Sequence, residues 1–223
     1  MYLLDSANVK TIKRVKETYG LDGVTTNPTL MARENRTDFF HHVREITDLV
    51  HPAMVYVQVN AEKTEAMLEE AELYLEHIER PFSIKVPATK EGFRAMKALQ
   101  GRIPITATAV VDFHQALMAI ESGARTLAVY VNRMLRNGLA PYDMIESLRL
   151  TIERENLDVT IIAASFKTSP EVKHALEYGA HKATVPEGLF ESMFLHPVSE
   201  RAVKAFSENF KERYKTDRIN SRN

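Results

Sequence analysis

A lysine lies inside an otherwise apolar segment, Phe82–Pro87, that has the composition of a β-strand. Alternation along a strand puts Lys85 on the face opposite Ile84 and Val86. Lysine is almost never fully buried without a partner, because removing an ionised amine from water is costly. A desolvated, uncharged lysine is suited to attack on a carbonyl, which forms a Schiff base. The sequence therefore predicts Lys85 as a nucleophile; the alternative is a structural salt bridge, for which Asp5 is the candidate partner.

Polar residues also occur at the ends of the other predicted strands. Alternation predicts that one set faces inward, namely Asp5, Gln58, Lys85, Thr108, Tyr130 and Ser165, and that Ala164 faces the helices with the apolar residues. Thr26 and Asn27 end the second strand, and Arg133 and Lys167 follow the sixth and seventh. Arg133, Lys167 and Ser165 are candidates to bind a phosphate, which barrels often hold on their later loops.

The elements that must position these residues alternate along the whole chain. Eight short β-rich runs are each followed by a stretch of helical periodicity, and Ser6 is the expected N-cap of the first helix. Such alternation predicts a parallel sheet, which in one domain of this size most simply closes into a (β/α)8 TIM barrel; an open doubly wound sheet is the alternative. We expect the barrel over residues 1–197, an additional amphipathic C-terminal helix over 198–215 and a polar tail over 216–223.

Composition excludes several classes of function. The 29 basic and 30 acidic residues nearly cancel, which argues against binding to nucleic acid or an anionic membrane. The 223 residues include no cysteine, so disulfides and thiolate chemistry are excluded, and no metal or cofactor motif is predicted. We find no signal peptide and no run of apolar residues long enough to span a bilayer, so a cytoplasmic location is expected.

Five segments together resemble the small transaldolase family, from residue 1 to about residue 214. These segments are Leu4–Asn8, Gly23–Pro28, Lys85–Gly92, Tyr130–Arg133 and Ala163–Thr168. The resemblance implies that Lys85 forms the Schiff base and that no cofactor is needed. It also implies a sugar phosphate substrate and a homo-oligomer, a pentamer or decamer in which the C-terminal helix packs on a neighbouring subunit.

Two activities share this family, and two residues favour one of them. Transaldolases usually carry Glu on strand three and Phe on strand six, whereas fructose-6-phosphate aldolases carry Gln and Tyr, as at Gln58 and Tyr130 here. The chain departs from the aldolases at Val129, where they have Pro, and at Ala107, where they have Gly.

The resemblance implies a role for each candidate residue. Catalysis is assigned to Lys85, Tyr130, Asp5, Gln58 and Thr108, and substrate binding to Asn27, Thr26, Arg133, Ser165 and Lys167. The expected activity is therefore cleavage of fructose 6-phosphate. Transaldolase activity and a non-catalytic sugar-phosphate-binding barrel are the two alternatives.

Overall fold

Eight parallel strands form a closed barrel in the computed structural model, which describes residues 1–219. The strands are β1 (Tyr2–Asp5), β2 (Gly23–Thr25), β3 (Met54–Gln58), β4 (Phe82–Pro87), β5 (Ile105–Val110), β6 (Thr126–Tyr130), β7 (Thr160–Ala164) and β8 (Lys182–Pro186). Each strand pairs with its neighbours in chain order, and β1 pairs with β8 through Leu4 and Val185. This last pairing closes the sheet, so the predicted (β/α)8 barrel is confirmed and the open sheet is excluded.

Helices follow every strand. They are α1 (Val9–Tyr19), α2 (Pro28–Arg33), α3 (Phe39–Val50), α4 (Thr64–His77), α5 (Lys90–Leu99), α6 (Phe113–Glu121), α7 (Val131–Arg136), α8 (Pro141–Arg154), α9 (Ser169–Glu177), α10 (Glu187–Phe190) and α11 (Pro197–Tyr214). The predicted cap of α1 is wrong. Asn8, not Ser6, accepts a hydrogen bond of 2.9 Å from the Thr11 N–H, and this leaves the Ser6 side chain for other contacts.

The strands bury residues on both of their faces, as parallel strands do. Leu4, Ile84 and Val129 face outward and are fully buried. Inside the barrel, Leu3, Tyr56 and Ile162 form an apolar cluster with Met54 packed against it. Each of these three residues lies two positions before the last residue of its strand. The apolar cluster therefore lies below the carboxyl ends of the strands, where the polar side chains are found.

Gly92 brings α5 close to the strand that carries Lys85. A Cβ atom at position 92 would collide with the Pro87 carbonyl at the end of β4. Glycine is therefore required by close backbone approach. The start of α5 is also fixed by Thr89, whose hydroxyl accepts a 3.1 Å hydrogen bond from the Gly92 N–H.

The chain divides into two compact units, Met1–Leu189 and a second that begins at Phe190. The first unit contains the complete barrel. The second contains α11, which begins one residue before the expected C-terminal helix, at Pro197, and has no buried residue. Of the expected polar tail, residues 216–219 are described and residues 220–223 lie outside the described residues. None of the helices in the described part of the chain is both long and apolar enough to cross a membrane.

Candidate active site

A cavity of about 680 Å³ opens at the carboxyl ends of the strands, all within the first unit. It is lined by eight of the ten predicted site residues, namely Asp5, Asn27, Gln58, Lys85, Tyr130, Arg133, Ser165 and Lys167. In barrels of this type, the catalytic residues project from these strand ends. Residues far apart in the sequence are therefore brought together around one space.

Lys85 lies in this cavity almost completely buried, with 5% of its surface exposed. Its Nζ atom donates a hydrogen bond of 2.6 Å to the backbone carbonyl of Thr26. Burial lowers the pKa of the Lys85 amine, and the Asp5 carboxylate acts in the opposite direction. Because a lower pKa favours the neutral amine, the environment favours the nucleophilic form of the side chain.

In the part of the chain that the structure describes, Asp5 and Lys85 do not form an ion pair. Its Oδ1 atom accepts a hydrogen bond of 2.7 Å from the Thr25 hydroxyl. Since that hydroxyl has one hydrogen, the 2.6 Å contact of Thr25 with Thr184 requires Thr184 to donate. Burial raises the pKa of Asp5, while Lys85 and the Thr25 hydrogen bond partly offset that rise. The structural salt bridge considered as an alternative is therefore absent from the described residues.

Tyr130 and Gln58 lie on opposite sides of Lys85 in the strand order. The Tyr130 hydroxyl is 3.1 Å from the Thr108 hydroxyl, within hydrogen-bond distance. The Gln58 Oε1 atom is buried and has no hydrogen-bond partner among the described residues. A buried carbonyl oxygen without a partner is costly, so a water molecule or a substrate group is the expected partner. Thr108 itself is fully buried and lies outside the cavity lining, so its contact with the cavity runs through Tyr130.

Three residues that could bind an anion lie in the connections that follow two neighbouring strands, β6 and β7. They are Arg133, Ser165 and Lys167. Arg133 in α7 lies over the Tyr130 ring, with its guanidinium carbon 4.8 Å from the ring centre. Ser165 follows β7 with a φ of 64°, and its carbonyl accepts a 3.1 Å hydrogen bond from the Asn132 N–H. Glu171 joins the same loops, since its carboxylate accepts from the Asn132 side chain at 2.9 Å and from the Lys167 N–H at 2.8 Å.

The predicted residues of the β2 loop are used in two different ways. The Asn27 Oδ1 atom caps α2 by accepting from the Leu30 N–H at 3.1 Å, and this leaves its Nδ2 donor for a ligand. Thr26 does not line the cavity. Its hydroxyl donates to the Tyr56 carbonyl at 3.3 Å, so its contribution to the site is the carbonyl that accepts from Lys85.

Several residues of the cavity are absent from the predicted set. The hydroxyl-bearing ones are Ser6, Thr25, Thr29, Tyr56, Thr106 and Thr184, and Glu34 and Glu187 add carboxylates. Thr106 lies two residues before Thr108 on β5, so the two side chains are on the same face of the strand. Alternation was therefore sufficient to predict Thr106 as a residue of the cavity.

The expectation that Ala164 faces the helices is wrong. It is the register partner of Tyr130 and lines the cavity. Ser165 also reaches the cavity because its left-handed backbone turns the chain after β7 ends.

A desolvated lysine at the open end of a (β/α)8 barrel, beside groups that could bind an anion, is typical of enzymes that form Schiff bases with phosphorylated substrates. A family model described as Transaldolase/Fructose-6-phosphate aldolase matches residues 2–222. The chain belongs to this family, and the predicted resemblance is confirmed.

Two kinds of relative are similar over nearly the whole chain. A probable fructose-6-phosphate aldolase of Streptococcus pneumoniae (strain ATCC 700669 / Spain 23F-1) is 38% identical over 94% of this chain and 95% of its own length. A probable transaldolase of Streptococcus pyogenes serotype M5 (strain Manfredo) is 35% identical over 94% of this chain and 97% of its own. Both of the activities considered from the sequence are therefore represented among the relatives.

Solved structures of low sequence identity share the fold. A thiamine phosphate pyrophosphorylase from Pyrococcus furiosus superposes with a TM-score of 0.59 at 12% identity, covering 83% of this chain and 84% of its own. A putative phosphonomutase from Burkholderia cenocepacia J2315 gives a TM-score of 0.58 at 13% identity, covering 95% and 93%. At this identity, the likeness describes the barrel alone.

Proposed function

We propose that the protein is a class I aldolase that cleaves fructose 6-phosphate into dihydroxyacetone and glyceraldehyde 3-phosphate, and that catalyses the reverse addition. The observation that supports this proposal most strongly is the buried Lys85 amine, whose pKa is lowered by burial and which faces a cavity large enough for a sugar phosphate. The relative named probable fructose-6-phosphate aldolase supports the choice of substrate.

The reaction begins when the neutral Lys85 amine attacks the C2 carbonyl, and loss of water gives an iminium ion. The bond between C3 and C4 then breaks. Its electron pair moves into the iminium to form an enamine, and the C4 hydroxyl loses its proton as the aldehyde forms. Protonation of the enamine at C3 and hydrolysis by water release dihydroxyacetone and restore Lys85.

Tyr130 is the proposed acid and base, acting through a water molecule held with Gln58 and Thr108. In this role it takes the proton from the C4 hydroxyl and returns one to C3 of the enamine. Tyr130 and Gln58 both line the cavity that contains Lys85, and the Tyr130 hydroxyl lies 3.1 Å from the Thr108 hydroxyl, which supports a shared role for these side chains. Gln can position water but cannot take a proton as Glu can, which favours completed cleavage over transfer to another sugar.

The remaining groups hold the two ends of the substrate. Asp5 is assigned to the C4 hydroxyl, and Asn27 to the dihydroxyacetone end. Arg133 and Ser165, with Lys167 in the same loop region, are assigned to the phosphate because a guanidinium forms strong charge-assisted hydrogen bonds with it. Thr26 contributes through its carbonyl contact with Lys85.

Borohydride reduction in the presence of dihydroxyacetone tests the nucleophile. Peptide mass analysis should place the reduced adduct on Lys85, and the Lys85→Met variant should give none. An adduct on another lysine, or no adduct at all, would reject the assignment and leave a non-catalytic sugar-phosphate-binding barrel as the better hypothesis.

Transaldolase is the second candidate function, because a relative of that name is 35% identical over nearly the whole chain. The same Schiff base would then pass its three-carbon enamine to a second aldehyde. Turnover of fructose 6-phosphate with and without erythrose 4-phosphate separates the two functions. An aldolase releases dihydroxyacetone without the acceptor, whereas a transaldolase turns over only with it.

Location and assembly are part of the same proposal. A cytoplasmic enzyme acting as a homo-oligomer fits the family's sugar-phosphate chemistry. In α11, the apolar side chains of Val203 and Phe206 are 64% and 69% exposed, and such a face is suited to contact with a neighbouring subunit. Light scattering that gives the mass of a monomer would contradict this assembly.

A further inference from the structure

A carboxylate held by a buried hydroxyl lies at one side of the cavity. Ser6 is 2% exposed, and its hydroxyl donates a hydrogen bond of 2.9 Å to the Glu187 Oε2 atom. The Ser6 oxygen in turn accepts from the Asn8 N–H at 3.0 Å, which fixes the direction of the hydroxyl. Both Ser6 and Glu187 line the same cavity as Lys85. The hydrogen bond holds the Glu187 carboxylate by its Oε2 atom and leaves Oε1 as a further acceptor that the mechanism above does not use. Glu187 itself is exposed.

The order of the strands places this pair between two assigned groups. Glu187 directly follows β8, which lies between β7 and β1 in the closed barrel. Ser165 and Lys167 follow β7, and Asp5 ends β1. Around the rim of the barrel, the end of β8 therefore lies between Asp5 and the proposed phosphate-binding residues that follow β7.

The order of groups along the substrate matches the order of these strands. In the proposed reaction, the C4 hydroxyl lies at Asp5 and the C6 phosphate lies near Ser165 and Arg133. The hydroxyl between them is on C5, which is the α-hydroxyl of the aldehyde product. We propose that Glu187, positioned by Ser6, accepts a hydrogen bond from this hydroxyl and makes the enzyme selective for α-hydroxy aldehyde phosphates. This inference rests on the proposed function and adds a specificity-determining residue to it.

The charge of Glu187 acts in the same direction. A hydrogen bond to an ionised acceptor is stronger than one between neutral groups. A carboxylate also repels phosphate, which disfavours a ligand bound with its phosphate at the end of β8. The phosphate is thus directed to Arg133 and the hydroxyl to Glu187, so both effects favour one orientation.

Aldol addition of dihydroxyacetone to two aldehydes tests the proposal. The first is glyceraldehyde 3-phosphate, and the second is its analogue without the α-hydroxyl, 3-phosphooxypropanal. The ratio of kcat/KM for the two aldehydes is compared in the unaltered enzyme, Glu187→Leu, Glu187→Gln and the control Glu79→Gln. Glu79 is an exposed carboxylate between α4 and β4 that does not line the cavity.

We expect the unaltered enzyme and Glu79→Gln to prefer the hydroxylated aldehyde by at least about tenfold. Glu187→Leu should bring the ratio close to one, and Glu187→Gln, which keeps one neutral acceptor, should fall between them. If Glu187→Leu does not fold, Ser6→Ala provides the test, because it removes the donor that positions Glu187 and should reduce the ratio several-fold.

Turnover with both aldehydes but no preference in the unaltered enzyme, or a preference that Glu187→Leu leaves unchanged, would overturn the inference alone. Absence of turnover with either aldehyde in the unaltered enzyme would reject the proposed function itself, and the inference with it.

Discussion

The Lys85 amine donates its hydrogen bond to the backbone carbonyl of Thr26, at 2.6 Å. A carbonyl is an acceptor for a neutral amine as well as for an ammonium ion, so this contact holds the side chain without demanding its protonation. A carboxylate at the same distance would stabilise the charged form and oppose nucleophilic attack. The backbone of the β2 loop thus positions the proposed nucleophile, while burial favours its neutral form.

Replacing Lys85 by Met should abolish the reaction and change how stability depends on pH. Burial lowers the pKa of Lys85 in the folded protein, so the unfolded chain binds more protons between that lowered pKa and about 10.4. The unaltered protein therefore gains stability as pH rises through this window, and Lys85→Met does not. In urea unfolding, the free energy of unfolding of the unaltered protein minus that of Lys85→Met should increase from pH 7 to pH 10. The activity of Lys85→Met should be reduced at least about 10³-fold. A difference independent of pH would contradict the lowered pKa.

Asp5→Asn should move the pH dependence of Schiff-base formation to lower pH. The Asp5 carboxylate raises the pKa of Lys85 in opposition to burial, so its removal allows the pKa to fall further. The rate of reductive trapping with dihydroxyacetone, measured against pH, reports this shift. Cleavage of fructose 6-phosphate should also fall by about 10²-fold, because the proposed partner of the C4 hydroxyl is changed from a carboxylate to a neutral amide that cannot take a proton. Asp158→Asn, at an exposed position before β7, is the control and should change neither quantity. An unshifted pH profile in Asp5→Asn would contradict the effect of the Asp5 carboxylate on the pKa of Lys85.

Arg133→Ala should weaken binding of phosphorylated aldehydes selectively. The guanidinium lies at the edge of the cavity and is held over the Tyr130 ring, so its loss removes a charge-assisted contact with phosphate. We expect KM to rise by about 10- to 100-fold for glyceraldehyde 3-phosphate and much less for glyceraldehyde. Arg136→Ala is the matched control, since Arg136 is an exposed arginine on the same helix. Equal increases for the two aldehydes would exclude phosphate binding by Arg133.

Combining Gln58→Glu with Tyr130→Phe should raise transfer relative to cleavage. Completed cleavage needs protonation of the enamine, whereas transfer needs its attack on a second aldehyde. Loss of the phenol removes the proposed proton donor, and the new carboxylate can hold a proton where Gln cannot. With fructose 6-phosphate and erythrose 4-phosphate, the ratio of transfer to released dihydroxyacetone should rise by about tenfold or more. Thr108→Val, which removes only the hydroxyl partner of Tyr130, should raise it less; an unchanged ratio in the double variant would exclude this switch.

Alternation along single strands was sufficient to predict several residues of the cavity. Lys85, Gln58 and Tyr130 all lie in it, because the side chains of a strand change face at each residue and the carboxyl ends of a parallel barrel meet at one rim. The same rule failed at Ala164, where the strand ends and Ser165 adopts a left-handed conformation. Alternation also did not predict that Thr108 and Thr26 contact the cavity indirectly, Thr108 through the Tyr130 hydroxyl and Thr26 through the Lys85 amine.

The sequence by itself determined the barrel and the family and predicted the nucleophile, because these depend on local periodicity and on short motifs. Closure of the barrel decided the rest, since it brings the two ends of the first unit together. Ser6 contacts Glu187 across 181 positions, and Thr25 contacts Thr184 across 159. No pattern within a segment reports such a pair, because only the pairing of β1 with β8 brings its members within hydrogen-bond distance.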